Sequence, residues 1–192
     1  MSKGMTSVNV LILTGSPNTN GLTAACGMAA KAGAEKAGAE ATIVNLNKLN
    51  IGNCHACGNG WGTCGTKHIC QVRDDFQDLH ASLADYDAFV LVTPVYWGEM
   101  SESSKAFVDR VRRNEAKKKD RTAFEEKPVL SVAAAGGSGN GLTTCLTSME
   151  RFLLHVRAEK FDLIGVTQKN KRYKLEAIRE AAQEMMSRLM KE

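Results

Sequence analysis

VNVLILTGSPNTNGLTAACGMAAKAGAEK, residues 8–36, is the stretch that decides the fold. Its first six residues are mostly aliphatic and β-branched, which is typical of a strand buried on both faces of a parallel sheet. The glycines, proline and asparagines of residues 15–21 predict a turn. The alanine-rich run from Leu22 to Lys36 favours a helix, and Gly38 marks its end. The stretch therefore predicts a strand, a turn and a helix in direct succession.

The same alternation recurs along the rest of the chain. We predict further strands at 41–46, 88–92, 128–135 and 161–166, and further helices beginning at Asp74-Asp75-Phe76 and spanning 101–113, 142–157 and 174–191. The charged segment 114–127 is predicted to be exposed. Five strand–helix repeats indicate an α/β fold with a doubly wound, five-stranded parallel sheet, order 2-1-3-4-5, and helices on both faces. We expect one domain over residues 1–192, with a cysteine-rich loop at about 53–70.

Composition limits the function classes. Of the 192 residues, 43% are hydrophobic and 24% are charged, and the net charge is +4, which is too small to argue for nucleic acid as a partner. The sequence has no apolar run near the ~20 residues of a membrane helix, so we expect no membrane partner. The N-terminus lacks the layout of a signal peptide. A cytoplasmic location is the resulting expectation.

Three loops of unusual composition should meet where the winding of the sheet reverses. The first, residues 15–23, precedes a helix N-terminus and offers hydroxyl and amide donors that suit a phosphate, although a plain tight turn would explain it equally well. The second, residues 93–101, carries Tyr96 and Trp97, which can wall a planar ligand or simply pack over the sheet end. The third, residues 136–141, has four glycines, which let backbone approach a ligand or make the loop flexible.

A ligand with a phosphate at one end and a flat heteroaromatic ring at the other fits all three loops, and FMN has that shape. We therefore predict FMN as a cofactor. The predicted cofactor-binding residues are Ser16, Asn18, Asn20, Gly21, Leu22, Thr23, Pro94, Val95, Tyr96, Trp97, Gly98, Met100, Gly136, Gly137 and Gly141.

A family resemblance rests on four motifs, which are Gly15-Ser16-Pro17, Asp74-Asp75-Phe76, the run 93–98 (TPVYWG) and the run 105–110 (KAFVDR). Over residues 8–145 the chain resembles NAD(P)H-dependent FMN reductases and iron–sulfur flavoproteins. The resemblance implies a flavodoxin-like fold, FMN, and a homodimer or homotetramer with the flavin near subunit interfaces. It assigns the phosphate to Ser16, Asn18 and Thr23, and the isoalloxazine to Pro94, Tyr96, Trp97, Gly98 and Met100, with Gly136 and Gly137 closing over the ring. Many relatives have arginine and asparagine where this chain has Asn18 and Leu22.

Four of the six cysteines crowd into one loop with the spacing Cys54-x2-Cys57-x6-Cys64-x5-Cys70. They could ligate a [4Fe–4S] cluster or a structural zinc ion, or they could be ordinary small apolar residues without metal. The iron–sulfur flavoproteins are similar here but place the third cysteine where this chain has Gly60. His55 and His68 are of a residue type that can also ligate a metal. Cys26 and Cys145 fall in predicted helices and are expected to pack in the core.

The predicted function is that of an FMN-dependent oxidoreductase, which passes electrons from NAD(P)H or a ferredoxin-like carrier to a quinone, a flavin or a similar small-molecule acceptor. No side chain is assigned as a catalytic acid or base. The alternatives are a non-enzymatic electron carrier of flavodoxin type and a redox-sensing module that uses the cysteines. The basic runs 110–113 and 117–119 indicate either a solvated surface or a docking site for an acidic carrier or the 2′-phosphate of NADPH.

Overall fold

The computed structural model describes residues 7–191. Its strands are β1 (Asn9–Thr14), β2 (Glu40–Asn45), β3 (Ala88–Tyr96), β4 (Glu99–Met100), β5 (Pro128–Ala135) and β6 (Glu159–Thr167). Its α-helices are α1 (Leu22–Lys36), α2 (Phe76–Ser82), α3 (Glu102–Glu115), α4 (Leu142–Val156) and α5 (Lys171–Leu189). Among these residues no helix combines the length and the apolar composition that a bilayer span requires.

The sheet has the predicted topology. Its parallel strands lie in the order β2-β1-β3-β5-β6, so the fourth and fifth predicted strands are β5 and β6. The order places the carboxyl ends of β1, β3 and β5 next to one another, and the backbone N–H of Gly15 donates to the Val92 carbonyl at 2.9 Å. The three loops singled out in the sequence therefore leave the sheet at the same edge.

The prediction that residues 93–101 form a loop was wrong in part. Strand β3 continues to Tyr96, and the chain turns back at Trp97 and Gly98 into the short antiparallel β4. Both turn residues have positive φ, 52° for Trp97 and 81° for Gly98, as a two-residue hairpin turn of the type I′ kind requires. Trp97 thus lies at the tip of a hairpin that projects from the sheet edge.

Alternating side chains of the strands fill two cores. On β1, Leu11 and Leu13 face the layer of α2, α3 and α4, whereas Val10 and Ile12 face the layer of α1 and α5. All four are at most 2% exposed, which explains why the strand reads as a continuous apolar run rather than an alternating one.

The prediction that segment 114–127 is exposed was wrong in part. Asn114, Glu115, Thr122 and Phe124 are buried. The ring of Phe124 packs on two aromatic residues from distant elements, with centroid distances of 4.2 Å to Phe89 and 5.6 Å to Phe152. The sequence did not predict these contacts, because one aromatic residue among lysines and glutamates gives no repeating apolar pattern typical of a helix or a strand.

Candidate functional site

The loop between β1 and α1 has an open helix N-terminus. Gly21 occupies the N-cap position without a side-chain cap, and the first turn of α1 has no acidic residue, so the N–H groups there are free to bind an anion. Ser16 and Thr23 are both buried, and the Ser16 hydroxyl oxygen accepts from the Asn18 N–H at 3.2 Å. The loop therefore suits a phosphate held by neutral donors.

The N-terminus of helix α3 packs against this loop and holds it by a hydrogen bond. The Ser101 hydroxyl donates to the Gly15 carbonyl at 2.6 Å, and Ser101 also caps the N-terminus of α3. A Cβ atom at Gly15 would lie 1.8 Å from the Ser104 Oγ, so only glycine allows the loop to approach α3 this closely. The Gly-Ser-Pro sequence is thus explained by packing as well as by a ligand.

The loops after β3 and β5 border an open cavity of about 500 Å³ at the same edge of the sheet. This volume is within the ~300–1,000 Å³ of small-molecule sites. The lining is uncharged and combines backbone of the glycine-rich loop with a few side chains: Val95, Trp97, Gly98, Ala135, Gly136, Gly137, Ser138, Gly139, Asn140, Gly141 and Thr144. An uncharged cavity with much exposed backbone suits a flat ring that has polar edges.

Two glycines hold the walls of this cavity together. A Cβ atom at Gly141 would lie 2.5 Å from the Cα of Gly98, and both residues have a φ of +81°. The Thr144 hydroxyl donates to the Gly98 carbonyl at 2.9 Å. The hairpin after β3 and the loop after β5 are therefore in direct contact, and a side chain at either glycine would strain that contact.

The structure brings only part of the predicted cofactor set into this cavity. Val95, Trp97, Gly98 and three of the glycines line it, and Ser16 and Asn18 line a separate cavity of about 130 Å³ next to β2. Pro94 is buried in β3, Tyr96 lies at the partly exposed end of that strand, and Met100 packs in the core. Asn20 is exposed, and Gly21 and Leu22 form the start of α1.

Sequence reasoning missed several lining residues. Thr144 lies in the first turn of α4 and Asn45 at the end of β2, and each lines one of the two cavities. The Asn45 side-chain amide donates to the Ser16 carbonyl at 3.1 Å. Thr144 could have been found in the sequence, because it is a polar residue in the first helical turn after a glycine-rich loop. Asn45 ends a strand, and no motif next to it in the sequence indicates a ligand site.

The four cysteines of the loop face one small pocket of about 20 Å³. All are free thiols of intermediate exposure, and within residues 7–191 no three His, Cys, Asp or Glu side chains lie close enough to hold a metal ion together. His55 also lines the pocket, while a ring nitrogen of His68 lies 3.1 Å from the Asn114 carbonyl. The metal site therefore remains a prediction. Cys26 and Cys145 are fully buried, and burial raises the pKa of each thiol to about 12.

Arg110 is buried against the wall of the cysteine pocket, which corrects its assignment to a basic surface or docking segment. Its Nη1 donates to Asp74 Oδ2 at 2.6 Å and to the Gly52 carbonyl at 3.0 Å, and its Nη2 donates to the Val72 carbonyl at 3.0 Å. Burial opposes the charge, but Asp74 and the neighbouring Cys70 outweigh it and raise the pKa of the guanidinium. Burial also opposes the Asp74 charge, yet the bond from Arg110 and two backbone N–H groups lower the pKa of that carboxyl.

A second buried charge stands on the same helix. The Glu115 carboxylate lies 2.7 Å from His80 Nε2, and it accepts from Lys118 Nζ and the Ala123 N–H at 2.8 Å each. Burial alone would raise its pKa, but these partners lower the pKa to about 2. Glu115 thus ties α2, α3 and the segment after α3 together and is a structural residue.

The basic residues nearest the cysteine loop stack on Trp61. The Arg113 guanidinium lies 4.8 Å and the Lys117 ammonium 3.8 Å from the centroid of its ring, and Arg113 donates to the Gly60 carbonyl. These contacts hold the glycine-rich end of the cysteine loop against α3.

Comparison with known proteins identifies the family and the fold. The sequence pattern of one family, NADPH-dependent FMN reductase, matches residues 8–160. An iron–sulfur flavoprotein of Archaeoglobus fulgidus is 33% identical over 107 residues, which are 56% of this chain and 46% of that protein. The match thus spans a little under half of that relative's length.

Two solved structures share the arrangement of the sheet. An NAD(P)H:quinone oxidoreductase from Methanothermobacter marburgensis superposes with a TM-score of 0.73 at 17% identity, covering 94% of this chain and 98% of that one. A flavodoxin from the domain Archaea gives 0.63 at 12% identity, covering 96% and 100%. At these identities the likeness concerns the fold alone, which is flavodoxin-like. Because the family pattern covers most of its length, the chain belongs to the NADPH-dependent FMN reductase family, an FMN-binding family of oxidoreductases.

Proposed function

We propose that this chain is an FMN-dependent oxidoreductase that passes electrons from NAD(P)H or a reduced carrier protein to a quinone, a flavin or a similar small acceptor. The observation that carries the proposal is the uncharged cavity of about 500 Å³ at the same edge of the sheet as the open N-terminus of α1. Neighbouring strands lie ~4.8 Å apart, so the loops after β1 and β5 are separated by about 10 Å, with the loop after β3 between them. A single ligand with a phosphate tail can reach all three.

FMN, when bound, supplies hydride and electron transfer, and the residues of this chain bind and orient it. We assign the phosphate to the α1 N-terminus with the hydroxyls of Ser16 and Thr23. Val95 and the backbone of Gly136 and Gly137 would line the ring, and Trp97, fully exposed at the hairpin tip, would limit access from solvent. The lining has no titratable side chain, so the protein directs the reaction through position rather than through an acid or a base.

We also propose that Cys54, Cys57, Cys64 and Cys70 hold a metal centre, a [4Fe–4S] cluster in preference to zinc. The donor set fits by number and residue type, because four thiols line one pocket. Two residues of the same lining, Arg110 and Asn114, each have a buried polar atom without a partner. The thiols lie too far apart here to hold one ion together, so binding requires the loop to draw them in. The glycines of the loop, including Gly58 and Gly60 with positive φ, give the backbone the freedom to gather the thiols.

The partners remain part of the proposal. The basic surface around Arg113 and Lys117 suits an acidic, ferredoxin-like carrier, and charge reversal at residues 117–119 should slow electron delivery by such a carrier but not by NAD(P)H. The exposed Trp97 at the cavity rim favours a homodimer or homotetramer in which a second subunit covers the ring. We place the protein in the cytoplasm.

The test is a titration of flavin-free protein with FMN, followed by anaerobic reduction with NADPH or NADH and reoxidation by a quinone. Gly141→Ala should weaken FMN binding about tenfold or more, because its Cβ would overlap Gly98 and its φ is positive. Gly165→Ala is the matched control. A Cβ at Gly165 in β6 meets side chains only at 3.6 Å, so FMN binding should stay near that of the unmodified protein.

Each outcome has a definite meaning. Failure to take up FMN would overturn the proposed function. Tight FMN binding without reduction by either nicotinamide would favour a flavodoxin-type carrier over an enzyme. Equal affinities of the two glycine variants would show that the cavity is not the flavin site.

A further inference from the structure

The cysteine pocket contains two buried polar atoms without a hydrogen-bond partner. Of the three such side-chain atoms within residues 7–191, Arg110 Nε and Asn114 Oδ1 belong to residues that line this pocket, and both residues are at most 1% exposed. A buried donor without a partner costs ~1–3 kcal/mol, and more when the group is charged. Two such atoms at one pocket indicate that something binds there.

The guanidinium of Arg110 is held so that one donor edge stays free. Its Nη atoms donate to Asp74, Gly52 and Val72, and its Cζ lies 4.2 Å from the centroid of the Phe76 ring. The side chain therefore cannot turn its Nε–H toward another protein acceptor. Cys70 is the one of the four cysteines that acts on Arg110, where it helps Asp74 to raise the pKa of the guanidinium against the effect of burial.

We propose that Arg110 is the positioning residue of a metal–thiolate centre in this pocket, and that its Nε–H donates to a sulfur atom of that centre. The inference rests on the metal centre proposed above. Four thiolates around either a [4Fe–4S] core or a zinc ion leave a net double negative charge, which a buried cation next to the sulfurs stabilises. Such a centre offers sulfur acceptors to the Nε–H of Arg110.

Arg113 is a natural comparison on the same helix. It lines the same pocket one turn further along α3, but its guanidinium stacks on the half-exposed Trp61 and donates to a backbone carbonyl. None of its buried donor atoms lacks a partner, so its removal should affect the centre much less. Two arginines of equal formal charge thus differ in burial and in the donor that remains free.

The experiment measures metal binding by the full-length protein under anaerobic conditions in two arms, Co²⁺ with Zn²⁺ competition and reconstitution with iron and sulfide. Because Arg110→Gln alone would leave Asp74 buried and unpaired, the informative comparison is Asp74→Asn against Asp74→Asn/Arg110→Gln. Arg113→Gln is the control, because it removes an arginine charge from the same pocket lining without removing an unpartnered donor. Circular dichroism and FMN content establish that each variant is folded.

We expect the double variant to bind metal about 10- to 100-fold more weakly than Asp74→Asn, and Arg113→Gln to change the affinity less than about fivefold. The sulfur-to-cobalt charge-transfer band of the double variant should move to lower energy, because a thiolate that loses a hydrogen bond donates electrons more readily. A merely structural role of Arg110 would lower the affinity without moving the band.

The two metal-binding arms distinguish a failure of the proposed metal centre from a failure of the proposed role of Arg110. Loading of the iron–sulfide arm alone identifies a cluster, and loading of the zinc arm identifies a single ion; either supports the inference if Arg110 has the expected effect. If the unmodified protein loads in neither arm, the proposed metal centre fails and Arg110 with it, while FMN binding is unaffected. Normal loading with equal affinities and unchanged band positions in the two Asp74 variants overturns the role of Arg110 alone and leaves a buried water as its partner.

Discussion

Lowering the pH should destabilise this protein in a way that depends on Glu115. The carboxylate is fully buried and accepts from Lys118, from the Ala123 N–H and from His80, which lower its pKa from 4.5 to about 2. Between these two values the unfolded chain binds a proton that the folded chain does not. The stabilisation is therefore complete above pH 4.5 and is lost as the pH falls toward 2.

The magnitude follows from the shift. Each pKa unit corresponds to ~1.36 kcal/mol, so the full shift contributes about 3 kcal/mol to the free energy of unfolding. Because solvent screens the partly exposed Lys118, the contribution is reduced to about 2 to 3 kcal/mol. Between pH 6 and pH 3 about 2 kcal/mol of this should disappear.

Urea unfolding at pH 6 and pH 3 measures the effect, with FMN held at one concentration. Glu115→Gln should be less stable at pH 6 but should lose about 2 kcal/mol less than the unmodified protein on going to pH 3. Glu184→Gln, on the exposed face of α5, should lose as much as the unmodified protein. The reasoning fails if the pH dependence of Glu115→Gln equals that of the unmodified protein.

Three further predictions concern buried residues. Phe124→Ala should lower the free energy of unfolding by about 3–5 kcal/mol, because the buried ring packs between two aromatics, whereas Leu154→Ala at an exposed position of α4 should change it by less than about 0.5 kcal/mol in the same urea titration. Cys26 and Cys145, whose pKa values are about 12, should resist iodoacetamide at pH 8 in the folded protein and react only after unfolding, as mass spectrometry of labelled peptides would reveal. Gly33→Ala should destabilise the protein by about 1–3 kcal/mol despite the better helix propensity of alanine, since its Cβ would lie 2.0 Å from a backbone carbonyl oxygen of α5; thermal unfolding would contradict this if the variant melted higher.

The loops of the candidate site were predictable to different degrees. The glycine-rich run 136–141 and the Gly-Ser-Pro turn stand out by composition, and the strand order places them at one edge of the sheet. The hairpin at Trp97 and Gly98 was not predicted, because Pro94 and Gly98 read as loop residues, although β3 continues through Pro94 in register with β5. The cavity itself depends on the contact between Gly98 and Gly141, which lie far apart in sequence.

The sequence by itself determined the alternation of strands and helices, because apolar period and turn residues are local properties that each strand–helix unit carries. With right-handed crossovers, that alternation suits the strand order that the sheet has. Only the tertiary structure decided which charges are buried. Arg110 and Arg113 look alike in the sequence, yet one meets Asp74 and two backbone carbonyls from the loop before α2, and the other reaches the half-exposed Trp61. Burial of a charge is set by partners that arrive from distant parts of the chain, and no local pattern encodes them.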